Sequence, residues 1–224
     1  RLICDYGLLD GSHCTYGLPE HSGEPDRRTK MDKAVLLSIM PEWCNKIRSG
    51  EKTVEIRRTR PKLETPFKAY IYCTKAPQQL ITIFKDGEET MDGEIHHGKP
   101  VFVKFNKLLP DSIRGKTQMD IGEFICDDIR RIGPEYCIIK EDIESAISGS
   151  CLTAPQVKDY AGWKSGMSYT DLKDLYGWHI SDLNIYDNPR KLEEFTGLQS
   201  TRFGIRPVEV HRAPQSWRYV EELK

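Results

Sequence analysis

The chain has 224 residues, of which 38% are hydrophobic and 30% charged, and its formal net charge is −1. This length is enough to bury a hydrophobic core, and we expect a single domain with insertions. A near-neutral chain is not drawn to nucleic acid by its overall charge, so any such binding must depend on local charge. The longest apolar runs, such as "AVLL" at 34–37, are far too short to cross a bilayer, and no membrane partner is expected.

The seven cysteines indicate a reducing compartment, because no two of them form a CxxC motif and their number is odd. We therefore expect free thiols and a cytoplasmic protein. Four metal-ligating residue types stand near the beginning of the chain, namely Cys4, His13, Cys14 and His21. Their spacing lacks the short pairs of structural zinc sites, so no metal is predicted. Neither GxxxxGK[ST] nor GxGxxG occurs, so no nucleotide cofactor is predicted either.

Residues 1–30 are rich in glycine, proline and charge, and they show neither helical nor strand periodicity. The first clear strand pattern begins two residues after Met31. We expect Met31 to be the working start of translation and residues 31–224 to form the folded domain. Residues 1–30 are then a disordered or non-native upstream segment.

The first elements are predicted from local signals. A strand of apolar residues covers 33–39, and Pro41 marks the start of a helix, where its missing N–H costs nothing. Gly50 is a natural residue to end that helix with a positive φ. The segment "TVEIRR" at 53–58 alternates apolar and polar residues, which predicts a strand with Glu55 and Arg57 on one face. Another strand is predicted at 67–73.

The rest of the chain alternates strand and helix signals around turn-rich segments. Further strands are expected at 101–108, 122–132, 178–187 and 208–212. Helices are expected at 141–148, 153–162, 168–176 and from 188 to a stop at Gly197, with the acidic segment 76–100 as an excursion. About six strands with helices in the connections predict an α+β fold built on a small β-barrel with helical insertions.

A basic segment lies at 46–62, where seven basic residues accompany two acidic ones. Phosphate is the commonest partner of such a segment, although a solvated helix end and an exposed strand face would have the same composition. Two details favour a site. Glu55 and Arg57 share a strand face and can hold each other, and Lys52 follows the helix end closely enough to reach the same place. A lysine beside a carboxylate can bind a polar base edge or move a proton.

At these residues the sequence resembles a known family. The segment "LLSIMPEWCNKIRSGEKTVEIRRTRP" at 36–61 is similar to the opening signature of ASCH domains, which belong to the PUA-like superfold. The family pattern G-x-K-x-x-E-x-R falls on Gly50, Lys52, Glu55 and Arg57. The segment "GEFICDDI" at 122–129 resembles the next diagnostic strand of this family. Two later segments, "GWHISDLNIYDNP" at 177–189 and "RAPQSWRYV" at 212–220, resemble its bacterial and phage-borne branch.

The resemblance implies a PUA-like β-barrel with a cleft between the first helix and the barrel, and RNA or a modified nucleic acid as its ligand. Relatives of this fold hold a flipped base in such a cleft. The residues expected to form the binding site are Ser38, Trp43, Lys52, Glu55, Arg57 and Arg58. For Trp43, stacking on a base competes with a place in the core beneath the helix, because Ile47 lies on the same helix face.

Some small members of the family are amidohydrolases that remove the acetyl group of N4-acetylcytidine. Their nucleophile is a threonine at the position that Glu55 holds here, and a carboxylate would have to attack the amide through an anhydride. Their catalytic acid corresponds to Ser165-Gly166, which offers no carboxylate. The resemblance therefore leaves it open whether the chain is an enzyme.

Three hypotheses remain at this stage. The first is a binding module for RNA or a modified nucleotide, in which Arg57→Ala would weaken binding without unfolding the protein. The second is a hydrolase of RNA or a modified nucleoside, with Lys52 and Glu55 as its acid–base pair. The third is a stabilising ion pair in an adaptor that contacts another protein.

Overall fold

A computed structural model describes residues 32–137, 140–164, 166–168 and 171–223 of the chain. The expectations about residues 1–30, Met31 and Ser165 lie outside this range. Within it, twelve strands and three α-helices follow one another. The strands are β1 (Lys33–Ile39), β2 (Val54–Arg57), β3 (Phe67–Cys73), β4 (Gln78–Phe84), β5 (Val101–Asn106), β6 (Met119–Cys126), β7 (Ile129–Ile132), β8 (Leu175–His179), β9 (Ser181–Arg190), β10 (Thr196–Thr201), β11 (Gly204–Glu209) and β12 (Trp217–Glu221). The helices are α1 (Pro41–Arg48), α2 (Lys140–Ala146) and α3 (Ala154–Ala161).

Seven strands form the main sheet, in the order β11-β10-β12-β1-β3-β6-β9. β1 lies near its centre, antiparallel to β12 and parallel to β3. A parallel pair needs a crossover connection, and the chain makes it through α1 and β2. β1 is buried along six of its seven residues, which explains why its sequence is a continuous apolar run rather than an alternating one.

The remaining strands form two smaller sheets. β2, β8 and β7 make a three-stranded antiparallel sheet, in which Glu55 pairs with Trp178 and Arg57 with Tyr176. β4 and β5 pair only with each other. β2 therefore carries its charged side chains on a separate sheet that lies beside the main one.

The helix α1 is built as its sequence suggests. Pro41 occupies its first position, and Cys44 and Ile47 are buried beneath it. Lys46 and Arg48 lie in its last turn, where positive charge complements the helix dipole. Gly50 has a φ of +78° and turns the chain towards β2.

Two hydrophobic clusters pack against α1 and β2. One lies between the main sheet and α1 and includes Leu37, Ile47 and Trp178. The other joins β2 to α2 and α3 and includes Ile56 and Val157. No helix in the described part of the chain is both long enough and apolar enough to cross a membrane.

The structure corrects the predicted barrel of about six strands. The described residues contain twelve strands in three sheets, and the edge strands β11 and β9 of the main sheet do not pair with each other. The observed fold is mostly strand with few helices, of mixed α+β type. The acidic excursion at 76–100 contains strand β4, which the sequence analysis did not predict.

Other predicted boundaries also change. The strand predicted at 122–132 is two strands, β6 and β7, and the strand predicted at 178–187 begins earlier and divides at Ile180. The helix predicted from 188 is wrong, because β9 continues through Pro189 to Arg190 and only a 3-10 turn at Leu192–Glu194 follows. β9 tolerates Pro189 because an edge strand leaves some of its N–H groups unpaired.

Two further helix and strand assignments near the C-terminal half differ as well. The helix predicted at 168–176 is wrong in its described part, since 172–174 are not helical and Leu175 begins β8. The predicted last strand at 208–212 is the end of β11, which covers Gly204–Glu209. The true last strand, β12, pairs directly with β1.

Candidate functional site

An open cleft of about 660 Å³ lies where the end of β1, the start of α1, the strand β2 and the helix α3 meet. All six residues predicted from the sequence line it. They are Ser38, Trp43, Lys52, Glu55, Arg57 and Arg58. The alternation of β2 places Glu55 and Arg57 on the face towards the cleft, and the turn at Gly50 delivers Lys52 to the same wall.

Glu55 is at the centre of a buried ion group. Its Oε2 lies 3.2 Å from Nζ of Lys52, and its Oε1 lies 2.9 Å from an Nη atom of Arg57. The three residues are between 2% and 7% exposed. Buried charges are tolerated when each has a partner, and here one carboxylate serves two cations. Each carboxylate oxygen keeps a further lone pair that can accept a hydrogen bond.

Lys52 has no hydrogen left for a ligand. Its ammonium group donates to the carbonyl oxygens of Val54 at 2.8 Å and Ser150 at 2.7 Å, in addition to the Glu55 carboxylate. An ammonium group has three donors, and all three are used. Its amine therefore fixes the Glu55 carboxylate and ties β2 to the turn before α3.

Arg57 joins three parts of the chain. One Nη atom donates to the Ser38 carbonyl at 2.8 Å and contacts Glu55. The other donates to the carbonyl and hydroxyl oxygens of Ser216 at 3.2 and 3.3 Å. Arg57 consequently holds β2 against the end of β1 and against the segment that precedes β12.

Two buried polar atoms of the cleft have no partner among the described residues. They are Oγ of Ser38 and Nε of Arg57. An unpaired buried polar group costs about 1–3 kcal/mol, so such groups are uncommon in folded proteins without a function. Both residues line the cleft, and Arg57 also contacts the Glu55 carboxylate through an Nη atom.

Aromatic rings stand on two sides of the cleft. Trp43 is half-buried, and the amines of Lys52 and Lys46 lie 5.3 and 5.4 Å from its ring centroid. Trp43 also packs against the core cluster beneath α1, as the alternative interpretation of this residue predicted, and it lines the cleft as well. Tyr160 of α3 carries the Arg58 guanidinium over its ring at 4.9 Å, and its carbonyl oxygen accepts hydrogen bonds from the same side chain.

The sequence analysis missed the residues that reach the cleft from distant parts of the chain. Leu152, Gln156 and Tyr160 come from α3 and its N-terminal side, and Gln215 and Ser216 precede β12. The capping box of α3 was predicted correctly, with Thr153 accepting from the N–H of Gln156. The box locates the helix, but no local signal shows that this helix faces β2.

The basic segment 46–62 does not form one surface. Lys52 and Arg57 are buried, and Arg58 lies at the cleft rim against Tyr160. Arg60 and Lys62 line a different cavity beside Trp217 and Tyr219. The basic residues of this segment therefore do not form one continuous surface, because the turn into β2 distributes them over separate places.

No cysteine nucleophile or metal cluster accompanies the ion group in the part of the chain that is described. Cys44 is fully buried beneath α1, and desolvation raises the pKa of its thiol well above the ordinary value, with smaller contributions from Cys73 and Glu55. It stays a neutral thiol at pH 7. No three His, Cys, Asp or Glu side chains within the described ranges come together as a metal site requires.

Comparisons with known proteins give structural likeness only. No protein-family model matches the chain, and no curated protein matches it in sequence. The chain is similar in structure to ASCH from Zymomonas mobilis, with 16% identity over 84% of this chain and 88% of that one and a TM-score of 0.43. A tyrosine-to-phenylalanine mutant of that protein matches with 16% identity over 84% and 91% and a TM-score of 0.42. A serine-to-alanine mutant matches with 15% identity over 86% and 91% and a TM-score of 0.43. All three of these solved structures carry the ASCH name.

Proposed function

We propose that the chain is an ASCH-type, PUA-like binding module that holds a base of RNA or of a modified nucleic acid in this cleft. The observation that supports it is the Glu55 carboxylate, which is buried, fixed by two cations and still able to accept hydrogen bonds. A fixed carboxylate at the floor of an open cleft selects a ligand with N–H donors, and the amino and imino groups of nucleobases are such donors.

The surrounding groups suit a base in the same way. The hydroxyl of Ser38 and the Nε–H of Arg57 are unpartnered and can bond to the ring nitrogens or carbonyl groups of the same base. Trp43 and Tyr160 supply aromatic faces, and stacking of a base on such a ring contributes about 1–3 kcal/mol. A base in the cleft would therefore be read at its edge and packed at its faces.

The test uses Ser38→Ala. The hydroxyl of Ser38 has no partner in the described structure, so its removal should leave stability unchanged or slightly higher. If a ligand uses the hydroxyl, affinity should fall about fivefold to tenfold, the loss of one neutral hydrogen bond. Arg57→Ala is less informative than its sequence suggested, because the contacts of this side chain to Ser38, Glu55 and Ser216 make it a stability variant as well.

The measurement is a titration of intrinsic tryptophan fluorescence with short single-stranded RNAs, with and without N4-acetylcytidine. The control is Ser112→Ala, which removes a hydroxyl that bonds to Asn45 outside the cleft. The proposal fails if the wild-type chain binds none of the RNAs. It also fails if Ser38→Ala binds as well as the wild type while Trp43→Leu, which removes the stacking face, is equally without effect.

The alternative is a hydrolase of RNA or of a modified nucleoside, in which Lys52 and Glu55 exchange protons. Their separation of 3.2 Å permits this, but the three donors of Lys52 are already committed to protein acceptors. Nucleoside analysis of the titration mixtures distinguishes the two functions. Unchanged nucleosides support the binding module. A deacetylated or cleaved product that disappears in Lys52→Ala would make the chain an enzyme.

The third hypothesis, an ion pair that only stabilises an adaptor, predicted a closed cleft. The cleft here is open and has the volume of a small-molecule site. Arg57 of the ion group and Ser38, whose carbonyl Arg57 contacts, each keep one buried polar atom unpaired, which a purely structural group has no reason to do. Both observations support the binding proposal over the adaptor. A protein partner elsewhere on the surface is compatible with either.

A further inference from the structure

A second cavity adjoins the cleft. It has a volume of about 670 Å³, and its wall includes three residues that also line the cleft, namely Ser38, Met40 and Gln215. The end of β1 and the segment before β12 thus form a partition that the two open spaces share.

The second cavity differs from the cleft in its charge. Lys75, Lys191 and Arg212 line it, and they come from three distant parts of the chain. All three side chains are exposed, and no ion pair or side-chain hydrogen bond engages their charged groups in the described structure. The cations of the cleft, in contrast, are buried and committed to protein partners.

The opposing charges in this cavity are fewer. Glu193 also lines it, and His211, a further lining residue, contacts the carboxylate of Glu209 at 3.0 Å. Three unpaired cations against one lining carboxylate leave a net positive space. In addition, the backbone turns at Gln118, which has a φ of +63° and places its side chain among the lining residues.

We propose that this second cavity binds the phosphate groups that flank the base in the cleft, so that the ligand is a single strand of nucleic acid rather than a free nucleoside. This inference rests on the proposed function of the cleft. Lys75, Lys191 and Arg212 meet the backbone, while Glu55 and Ser38 read the base. Two kinds of contact therefore lie on the two sides of one partition, as recognition of a strand requires.

The experiment compares two triple variants of the full chain that change the net charge equally. The first is Lys75→Ala, Lys191→Ala and Arg212→Ala. The matched control is Lys99→Ala, Lys104→Ala and Arg206→Ala, whose side chains are also exposed and lie outside both cavities. The probes are a fluorescein-labelled single-stranded RNA dodecamer, the nucleoside cytidine and polyglutamate, each titrated from 50 to 200 mM salt. Circular dichroism melts check that both variants fold.

We expect the first triple variant to bind the dodecamer about tenfold or more weakly at 50 mM salt. The slope of log affinity against log salt should become shallower by about 2, since each phosphate contact on a single strand contributes about 0.7. Its weak affinity for cytidine should not change. The control triple variant should bind the dodecamer like the wild type.

Other outcomes overturn the inference. If the first variant keeps the wild-type affinity and slope while Ser38→Ala still binds weakly, the cavity takes no phosphate, and the function of the cleft stands. If both triple variants lose affinity equally, the net charge of the protein determines the affinity for RNA, and the cavity is not a specific phosphate site. If polyglutamate binds as tightly as the RNA, the partner is an acidic protein. If the wild type binds no RNA, the proposed function fails, and this inference fails with it.

Discussion

At the scale of single residues, buried charges determine the geometry of the candidate site. The ion group of Lys52, Glu55 and Arg57 is largely buried at the wall of the cleft, and every charge in it has an opposite partner. Such groups contribute little net stability, because desolvation offsets most of the attraction. Their value here is geometric, since the network holds the Glu55 carboxylate in one pose. A carboxylate that cannot turn loses little entropy when it accepts a hydrogen bond from a ligand.

Asp120 is a buried carboxyl group of a different kind, and it predicts a pH dependence of stability. Its side chain is fully buried, and its Oδ2 has no partner in the described structure. Burial raises its pKa to about 8, against smaller opposing effects of the N–H of Gly122 and the charge of Arg190. From about pH 4 to 8, the folded chain thus keeps a proton that the unfolded chain releases. The contribution of this group to the free energy of unfolding therefore falls as pH rises through that window, by up to about 1.4 kcal/mol per pH unit.

The variant Asp120→Asn tests this prediction, because an amide resembles the protonated carboxyl and does not titrate. Urea unfolding of both chains at pH 5, 6, 7 and 8 should show that the variant loses less stability as pH rises. The control is Asp92→Asn at an exposed site, which should keep the wild-type profile. Parallel profiles for the wild type and Asp120→Asn would contradict the raised pKa.

At the scale of elements, the turn after α2 decides where β2 lies. The carbonyl oxygen of Gly149 accepts hydrogen bonds from the N–H groups of Thr53 and Val54 at 2.8 and 3.0 Å. The next carbonyl, of Ser150, accepts from the amine of Lys52. Gly149 has a φ of +77°, and a Cβ atom there would collide with Oγ1 of Thr53. Both the backbone conformation and the close approach therefore require glycine.

We predict that Gly149→Ala lowers the free energy of unfolding by about 2–3 kcal/mol. The matched control is Gly50→Ala, which has a φ of +78° but open space around its Cβ, and which should cost only about 1 kcal/mol. The difference between the two variants measures the contact with Thr53. Urea unfolding gives both values. Equal losses would contradict the prediction, because they would mean that the turn relieves the clash with Thr53 at no cost in free energy.

The sequence predicted the elements of the first part of the chain better than those of the last part. The proline at 41, the glycine at 50 and the alternation at 53–58 are local signals, and the structure has a helix, a turn and a strand there. Pro189 misled the prediction of a helix from 188 because it lies in the edge strand β9, where a missing N–H is tolerated. Whether a strand lies at an edge depends on the arrangement of the whole sheet, and a local sequence pattern does not indicate it.

The same limit applies to the candidate site. The three charged residues of G-x-K-x-x-E-x-R lie within six positions, so strand alternation was enough to place Glu55 and Arg57 together. Tyr160 and Ser216 reach the same cleft from more than a hundred residues away. The place of Ser216 follows from the pairing of β1 with β12, and that of Tyr160 from the packing of α3 against β2, which are both long-range contacts. Local patterns thus predicted the floor of the cleft and not its walls.

At the scale of the whole molecule, the hairpin of β4 and β5 is nearly independent of the rest. Its two strands pair only with each other, and no residue from 75 to 108 belongs to a buried hydrophobic cluster of the described structure. Several of its apolar side chains are exposed, among them Leu80, Phe102 and Phe105. The hairpin therefore contributes little to the core that supports the cleft.

We predict that residues 78–106 can be replaced by Asn-Gly with a loss of less than about 1 kcal/mol in the free energy of unfolding. The join is short because the N–H of Lys107 already bonds to the carbonyl of Pro77 at 2.9 Å, and removal of a closed loop changes stability little. Urea unfolding measures the loss, and the RNA titration should give the wild-type affinity because no residue of 78–106 lines the cleft or the cavity beside it. A loss above about 3 kcal/mol would show that the hairpin packs on the core after all. Unchanged stability with lost affinity would instead place part of the nucleic-acid contact on the hairpin itself.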